Sequence, residues 1–477
     1  MEISYKIKPW EHQKRALDLC RGRQNYAFLM DMGTGKTAVT VNALREKYYQ
    51  YKRVLKTLVI CPVNVCNGWV REFKAHASPN VAKRVCLLTG TQRERVALVE
   101  KFRKKYQDNC IFVLNYEGLS MRELVAALGM WAPEVCIADE SQRIKNPRAK
   151  RTAIAWLLAD RAAVKYILTG TPILQSPLDV FSQFRFLDGG ETFGPNFYSF
   201  RARWFVDKNA GMPSHKHFPD WQPLPGTSEA FHNLIYRKAI RVMKESCLDL
   251  PPFVNQRVEA TLGKAQARAY NEMLNNFITF LKGRACTAEL AITKSLRLQQ
   301  ILSGYIVEED TGEIVKFDKV PRLDVLSEVV EGLPEKSKFV VWACFRENYN
   351  DLAGAVEKLG IKCVRLVGGL SKTQRDKALE RFQTDDRVRC MIANPASAGV
   401  GVDGMQVANY AIYYSRNFNL EHDLQSNDRI YRGGSNVHNK VTRIDIVAPD
   451  TIDELILESL ANKHSNAEAV LAWKKRL

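Results

Sequence analysis

No run in the 477 residues approaches 18 apolar residues, the length a helix needs to cross a bilayer, so no part is expected to span a membrane. The opening, MEISYKIKPWEHQ, lacks the apolar centre of a secretory leader. Eleven cysteines are scattered singly from Cys20 to Cys390, and none sits at C-x-x-C spacing. Such a set argues against a zinc module and for reduced thiols in a cytoplasmic setting. Repeats and low-complexity tracts are missing too. Acidic residues are in short supply: 52 Asp and Glu stand against 70 Lys and Arg, a net charge of +18. A basic surplus on a folded chain is the electrostatic footprint of a polyanion binder, and nucleic acid fits it ahead of an anionic membrane or mere solubility charge.

What is present begins with folding capacity. A hydrophobic content of 46% excludes bulk disorder and allows large cores. The length suits about three domain-sized units at ~150 residues each. In the first third, apolar segments alternate with helical patterns. Ala27 to Met30, Thr57 to Cys61, Ile111 to Leu114, Val135 to Ala138 and Tyr166 to Leu168 read as buried strands. The pattern returns at Phe339 to Ala343, Cys363 to Val367, Cys390 to Ala393, Tyr410 to Tyr414 and Ile444 to Val447. Strands alternating with helices imply βαβ units and parallel sheets. Residues 1–188 and 321–477 are therefore expected as two α/β units. The stretch 189–320, with helical patterns at Glu229 to Leu248 and Lys264 to Leu281, is expected as a mainly helical region between them, without a third sheet. The ending AVLAWKKRL suits a terminal helix.

Residues Asp31 to Thr37 read DMGTGKT, directly after an apolar strand and before a helical pattern. That order is the context of a phosphate-binding P-loop. Met32, Gly33, Thr34 and Gly35 would turn backbone N–H groups toward a phosphate. Lys36 would reach the β- and γ-phosphates, and the Thr37 hydroxyl would hold Mg²⁺. A nucleoside triphosphate with Mg²⁺ is therefore the expected ligand. A second acidic element, Asp139-Glu140, closes the strand that starts at Val135. Ligands of parallel sheets bind at strand carboxyl ends. Asp139 there can orient Mg²⁺ and Glu140 can polarise the attacking water. ILTGTP, Ile167 to Pro172, runs a strand into a hydroxyl-rich turn that could transmit hydrolysis. Far downstream, QSNDRIYRGGS carries Arg429 and Arg432 three apart, a spacing that puts both on one face if the segment is helical. Two such arginines suit a finger role on the transferring phosphoryl group.

These motifs, in this order, resemble helicase superfamily two and, within it, the Swi/Snf-type DNA translocases. VICPVNVCNGWVREF resembles motif Ia, VLNYE motif Ib, IADESQRIKNP the DEAH-type box, and LTGTPILQSPLDVFSQFRFL motif III with its following helix. CLDLPPFVNQRVEATLGKAQARAYNEML resembles the entry into the second lobe. LVGGLSKTQRDKALERF, ANPASAGVGVDG and LQSNDRIYRGGS resemble motifs IVa, V and VI, and TIDELILESLANK the closing helix. The resemblance implies two RecA-like lobes that close on ATP, with double-stranded or branched DNA as partner. It makes Gln13 the adenine-reading glutamine, puts Gly401 and Asp403 near the nucleotide, and makes Arg429 and Arg432 the motif VI arginines, with Gln425 beside them.

Three positions depart from the family pattern. Gln142 stands where a His is usual, at the position that couples the nucleotide site to motif III; Asp403 replaces an Asn, and Ser435 a Gln. No flanking bromodomain-, zinc- or nuclease-like motif is seen, so a nearly bare motor is expected, of the compact kind that resembles phage or mobile-element versions. Three functions stay open at this point: a translocase on duplex DNA, a strand-separating RNA or DNA helicase, and a nucleotide-dependent binding switch with little motor activity.

Overall fold

The short apolar segments pair as parallel strands, and the helices between them cover both faces of the sheets. The computed structural model describes residues 5–63, 65–170, 177–211, 221–282, 288–308, 311–398 and 404–462. The chain divides into two compact units, Met1–Leu248 and Asp249–Leu477.

In the first unit the strands are β1 (Asn25–Met30), β2 (Thr57–Cys61), β3 (Val85–Leu87), β4 (Ile111–Asn115), β5 (Val135–Asp139), β6 (Val164–Thr169), a small antiparallel pair β7 (Phe205–Asp207) and β8 (Trp221–Pro223), and β9 (Ala239–Val242). Seven of them form one sheet in the order β3-β4-β2-β5-β6-β1-β9, parallel throughout. β2, β4, β5 and β6 are buried along their whole length. A strand covered on both faces reads as a continuous apolar run, which is why these four are visible in the sequence. One face packs Trp69 and Phe73; the other packs Phe112 edge-on against Trp131, with ring centroids 4.7 Å apart.

The second unit holds β10 (Phe253–Glu259), the antiparallel pair β11 (Tyr305–Val307) and β12 (Ile314–Lys316), then β13 (Phe339–Trp342), β14 (Lys362–Leu366), β15 (Val388–Ala393), β16 (Tyr410–Tyr413) and β17 (Val441–Val447). Its sheet is also parallel, in the order β10-β17-β16-β13-β15-β14. At the carboxyl end of β16 the Arg416 guanidinium lies 3.7 Å from the centroid of the Tyr413 ring and is held by Asp423 and Asp445. Two carboxylates and an aromatic face repay the desolvation of this buried cation.

The expected α/β class with two parallel sheets is what forms. The stretch 189–320 holds helices Phe197–Trp204, Ser228–Tyr236, Lys264–Lys282 and Ala288–Leu302, but the expectation of no further sheet fails, because the short pairs β7–β8 and β11–β12 also lie within it. It is not a separate unit, however, because the division falls inside it, at 248/249. The expected helix over Glu229 to Leu248 stops at Tyr236, and Ala239–Val242 extends as β9 along the edge of β1. β10 likewise joins the second sheet through β17. Both are edge strands with exposed polar positions, so they lack the apolar run that marks a central strand. Among the described residues no helix is long and apolar enough to cross a membrane. The ten described cysteines are free. The expected terminal helix AVLAWKKRL lies outside the described residues.

Candidate functional site

The P-loop forms where β1 runs out at Met30. Gly33 and Gly35 take φ values of 79° and 83°, which non-glycine residues rarely adopt. Gly35 is doubly constrained, since a Cβ there would lie 2.3 Å from Gln13 Nε2. Thr34 is buried, and its Oγ1 donates to the Asp31 carbonyl at 2.7 Å. The helix Lys36–Tyr51 then starts with no side chain capping its first turn. Uncapped N–H groups and the positive end of the helix dipole form an anion site. Lys36 is buried, and its Nζ lies 3.5 Å from the Asp31 carbonyl. Thr37 follows it, half-buried, and Met32 is half-buried in the loop itself.

Gln13, on helix Glu11–Cys20, is fastened to this loop. Its Nε2 donates to the Thr34 carbonyl at 3.1 Å, and its Oε1 accepts from the Trp10 N–H at 3.0 Å. An amide carries two N–H groups and two lone pairs, and these contacts use one of each. His12 Nε2 lies 2.9 Å from the same Thr34 carbonyl.

Asp139 and Glu140 lie at the carboxyl end of β5, and both are buried. Asp139 Oδ2 accepts from Trp69 Nε1 at 2.8 Å and Oδ1 from the Glu140 N–H at 3.0 Å. Burial, and then the Glu140 carboxylate beside it, push the Asp139 carboxyl up to about 6; the Lys36 ammonium and the Trp69 indole pull it back. A buried carboxylate whose charge is made costly by desolvation is a fit for a divalent cation, which would favour its charged form. Thr37 and Asp139 are hard oxygen donors of the kind Mg²⁺ takes, completed by substrate phosphates and water. Glu140 sits in the left-handed region at φ 49°, a conformation that costs a non-glycine residue of order 1–3 kcal/mol and clusters at functional sites.

Gln142 stands inside this site. Its Nε2 donates to Glu140 Oε2 at 2.8 Å, and its Oε1 accepts from Thr169 Oγ1 at 2.8 Å. The departure from His thus keeps a bridge between the acid pair and the last residue of β6. Ser141 donates to Gln183 Oε1 at 2.6 Å, which ties the same turn to helix Val180–Asp188.

The structure brings together Gln13, Met32 to Thr37, Asp139, Glu140 and Gln142 in the first unit. Gly401 and Asp403 lie outside the described residues, as do Thr171 and Pro172 of ILTGTP. Arg429 and Arg432 belong to the second unit, and their expected common helical face does not form. Helix Leu420–Ile430 ends before Arg432, so only Arg429, which is buried, lies on it. Gln425 is buried on the same helix and donates to Glu421 Oε1 at 3.0 Å. Ser435 is buried after the following turn.

Two contributors are assigned no role in the site by the sequence. Trp69 donates to Asp139, and the Tyr116 hydroxyl donates to the Asp139 carbonyl at 2.8 Å. Both stand in segments that carried the resemblance, yet a buried aromatic in an apolar segment reads as core. The only available signal was the polar atom on each ring, since a buried indole or phenol requires a hydrogen-bond partner.

A P-loop at the end of one parallel strand and a buried acidic pair at the end of another define a P-loop nucleotide-binding protein. The SNF2-related domain profile matches residues 12–310, and the helicase conserved C-terminal domain profile matches residues 322–434. The chain belongs to the SNF2-related family of helicase-like ATPases. It is 28% identical over 460 residues to protein p41 of Acyrthosiphon pisum secondary endosymbiont phage 1, covering 93% of this chain and 94% of that one. It is 24% identical over 452 residues to the uncharacterized ATP-dependent helicase MG018 of Mycoplasma genitalium, covering 94% of this chain but only 41% of that protein. The solved SWI2/SNF2 ATPase core of Sulfolobus solfataricus in complex with dsDNA aligns over 100% of this chain and 96% of its own, with a TM-score of 0.44 and 21% identity.

Two outcomes are expected from the site. Glu140→Gln keeps shape but removes the carboxylate, so nucleotide binding should persist while turnover falls by roughly a hundredfold or more. Equilibrium binding and steady-state turnover check this, and lost binding with unchanged turnover per bound nucleotide would contradict the role of Glu140. Gln142→Ala removes a charge-assisted hydrogen bond to Glu140 and the acceptor of Thr169 Oγ1. Turnover should fall by about tenfold, with nucleotide affinity little changed. Parental turnover in a folded Gln142→Ala protein would show that the bridge is idle.

Proposed function

We propose that this chain hydrolyses ATP to move along duplex or branched DNA, remodelling DNA or protein–DNA complexes. The observation that carries the reading is the Glu140–Gln142–Thr169 bridge, which connects the hydrolytic carboxylate to the strand that leads into TGTP. A motor needs such a link from its hydrolytic carboxylate to the sheet around it, and a passive binder does not. Family membership and the +18 charge support nucleic acid as the track.

In this reading the first-turn amides and Lys36 bind the β- and γ-phosphates. Gln13 reads the adenine edge with its remaining N–H and lone pair. Thr37 and Asp139 would hold Mg²⁺, which would supply positive charge to the phosphate oxygens. Glu140 accepts a hydrogen bond from the attacking water and turns it toward the γ-phosphorus, while Gln142 holds that carboxylate in place. Arg429 and Arg432 of the second unit stabilise charge that develops on the transferring group. A cytoplasmic setting completes the proposal.

The test is ATP turnover measured with duplex DNA, single-stranded DNA, RNA and forked DNA. Stimulation greatest with duplex or forked DNA is expected. Stimulation only by single strands or RNA would favour the strand-separating helicase, and turnover indifferent to all four would favour the switch. DNA affinity should fall by about a thousandfold between 50 and 200 mM salt, as for a protein that releases several counterions. A flat log–log plot would count against a phosphate-tracking motor. Loss of Arg429 or Arg432 should lower turnover far more than ATP affinity, since an interaction made chiefly in the transition state lowers the barrier without aiding ground-state binding. For the more severe of the two alanine variants the loss should approach about a thousandfold. DNA-stimulated turnover within a few-fold of parent in both would exclude the finger role.

A further inference from the structure

Strand β9 lies beside the P-loop strand, and one side chain on it touches two parts of the nucleotide site. Arg241 pairs with Leu29 in the parallel register of β9 with β1. Its Nη2 donates to Asp31 Oδ1 at 2.6 Å, where β1 turns into the P-loop. Its Nη1 donates to the Gly170 carbonyl at 2.8 Å, just beyond β6, and lies 3.3 Å from the Leu29 carbonyl. The other Asp31 oxygen accepts from the Lys244 N–H at 3.1 Å, and the Asp31 N–H donates to the Val242 carbonyl at 2.9 Å. The Asp31 carbonyl in turn receives Thr34 Oγ1 and faces Lys36 Nζ. A single guanidinium therefore connects the first residue of the P-loop to the turn after β6. Gly170 itself packs against the loop, since a Cβ there would lie 3.4 Å from the Met30 carbonyl oxygen and the Met32 nitrogen.

The charge at Asp31 makes the contact consequential. A carboxylate at the start of a loop that receives a triphosphate repels its ligand unless it is neutralised, and Arg241 is the cation paired with it. The planar fork of arginine also serves a carboxylate and a carbonyl from one rigid group, which a lysine ammonium does less well.

We propose that Arg241 is a positioning residue for the nucleotide: it cancels the Asp31 charge and holds the P-loop against the Gly170 turn, so that ATP affinity depends on strand β9. This rests on the reading of the first unit as an ATP site, and it is independent of what the hydrolysis drives. It is tested with a fluorescent ATP analogue in the presence of Mg²⁺ and with basal turnover, on the full chain. Arg241→Ala should weaken analogue binding about ten- to a hundredfold, the span of one or two charge-assisted hydrogen bonds. KM for ATP should rise in step, and kcat should stay within a few-fold. Arg241→Lys should recover part of the affinity. Adding Asp31→Asn to Arg241→Ala should also recover part of it, because the uncompensated charge is gone; a merely structural role would leave the double variant as weak or weaker. If Arg241→Ala does not fold, Arg241→Lys with and without Asp31→Asn carries the same comparison. Affinity within twofold of parent in Arg241→Ala, or no recovery on neutralising Asp31, overturns the proposal. A parent protein that fails to bind the analogue overturns the ATP-site reading and this proposal with it, whereas parental binding with an indifferent Arg241 overturns this proposal alone.

Discussion

A negative charge buried at the end of β5 is the constraint on which much of the first unit depends. Burying a carboxylate is costly unless donors and counter-charges surround it. The chain spends a fully buried tryptophan indole, a backbone N–H and the proximity of Lys36 on Asp139. The N–H comes from Glu140, whose backbone takes a left-handed conformation on the way. Trp69 belongs to the core face that also holds Phe73, so one side chain both fills the interior and orients the acid. Packing and chemistry cannot be varied separately at this position.

Strand order makes the site possible. β5, β6 and β1 are neighbours in the sheet, so their carboxyl ends bring Asp139, Thr169 and Asp31 to one edge, although Asp31 lies more than a hundred residues before the other two. Parallel pairing gives all three the same direction, and with it a common end for ligands. Gln142 spans β5 to β6, and Arg241 spans β9 to β1 and the end of β6. The site is thus cross-linked by polar side chains perpendicular to its strands.

The P-loop, the acidic pair and the central strands were legible because each is a local pattern: glycines next to a lysine, acids after an apolar run, and runs apolar enough to be buried on both faces. β9 was not, because Ala239–Val242 carries an arginine in mid-strand and follows a helical pattern without a break. Arg241 had no local signal either, since its partner Asp31 lies 210 residues away. Trp69 and Tyr116 were hidden by their own hydrophobicity. The pairing of Arg429 with Arg432 on one face failed for the opposite reason. Spacing suggested a helix that continues, and the chain instead leaves it at Ile430, just ahead of Gly433 and Gly434. Residues that act through contacts distant in sequence are those that periodicity and motif do not reveal.

The pairing of β1 with β9 also has a kinetic side. Leu29 and Arg241 are 212 residues apart, so the edge of β1 that will receive β9 is made long before its partner exists. At about 5–20 residues per second of synthesis, roughly ten to forty seconds separate the two. During that interval the strand that bears the nucleotide loop offers an open, apolar edge on the ribosome, the kind of edge on which nascent chains aggregate or recruit chaperones. Non-local pairing of this sort also slows folding. Completion of the first sheet is therefore timed by translation: a chain truncated before Ala239 would carry every motif of the P-loop and acidic pair and still lack the strand that seals them.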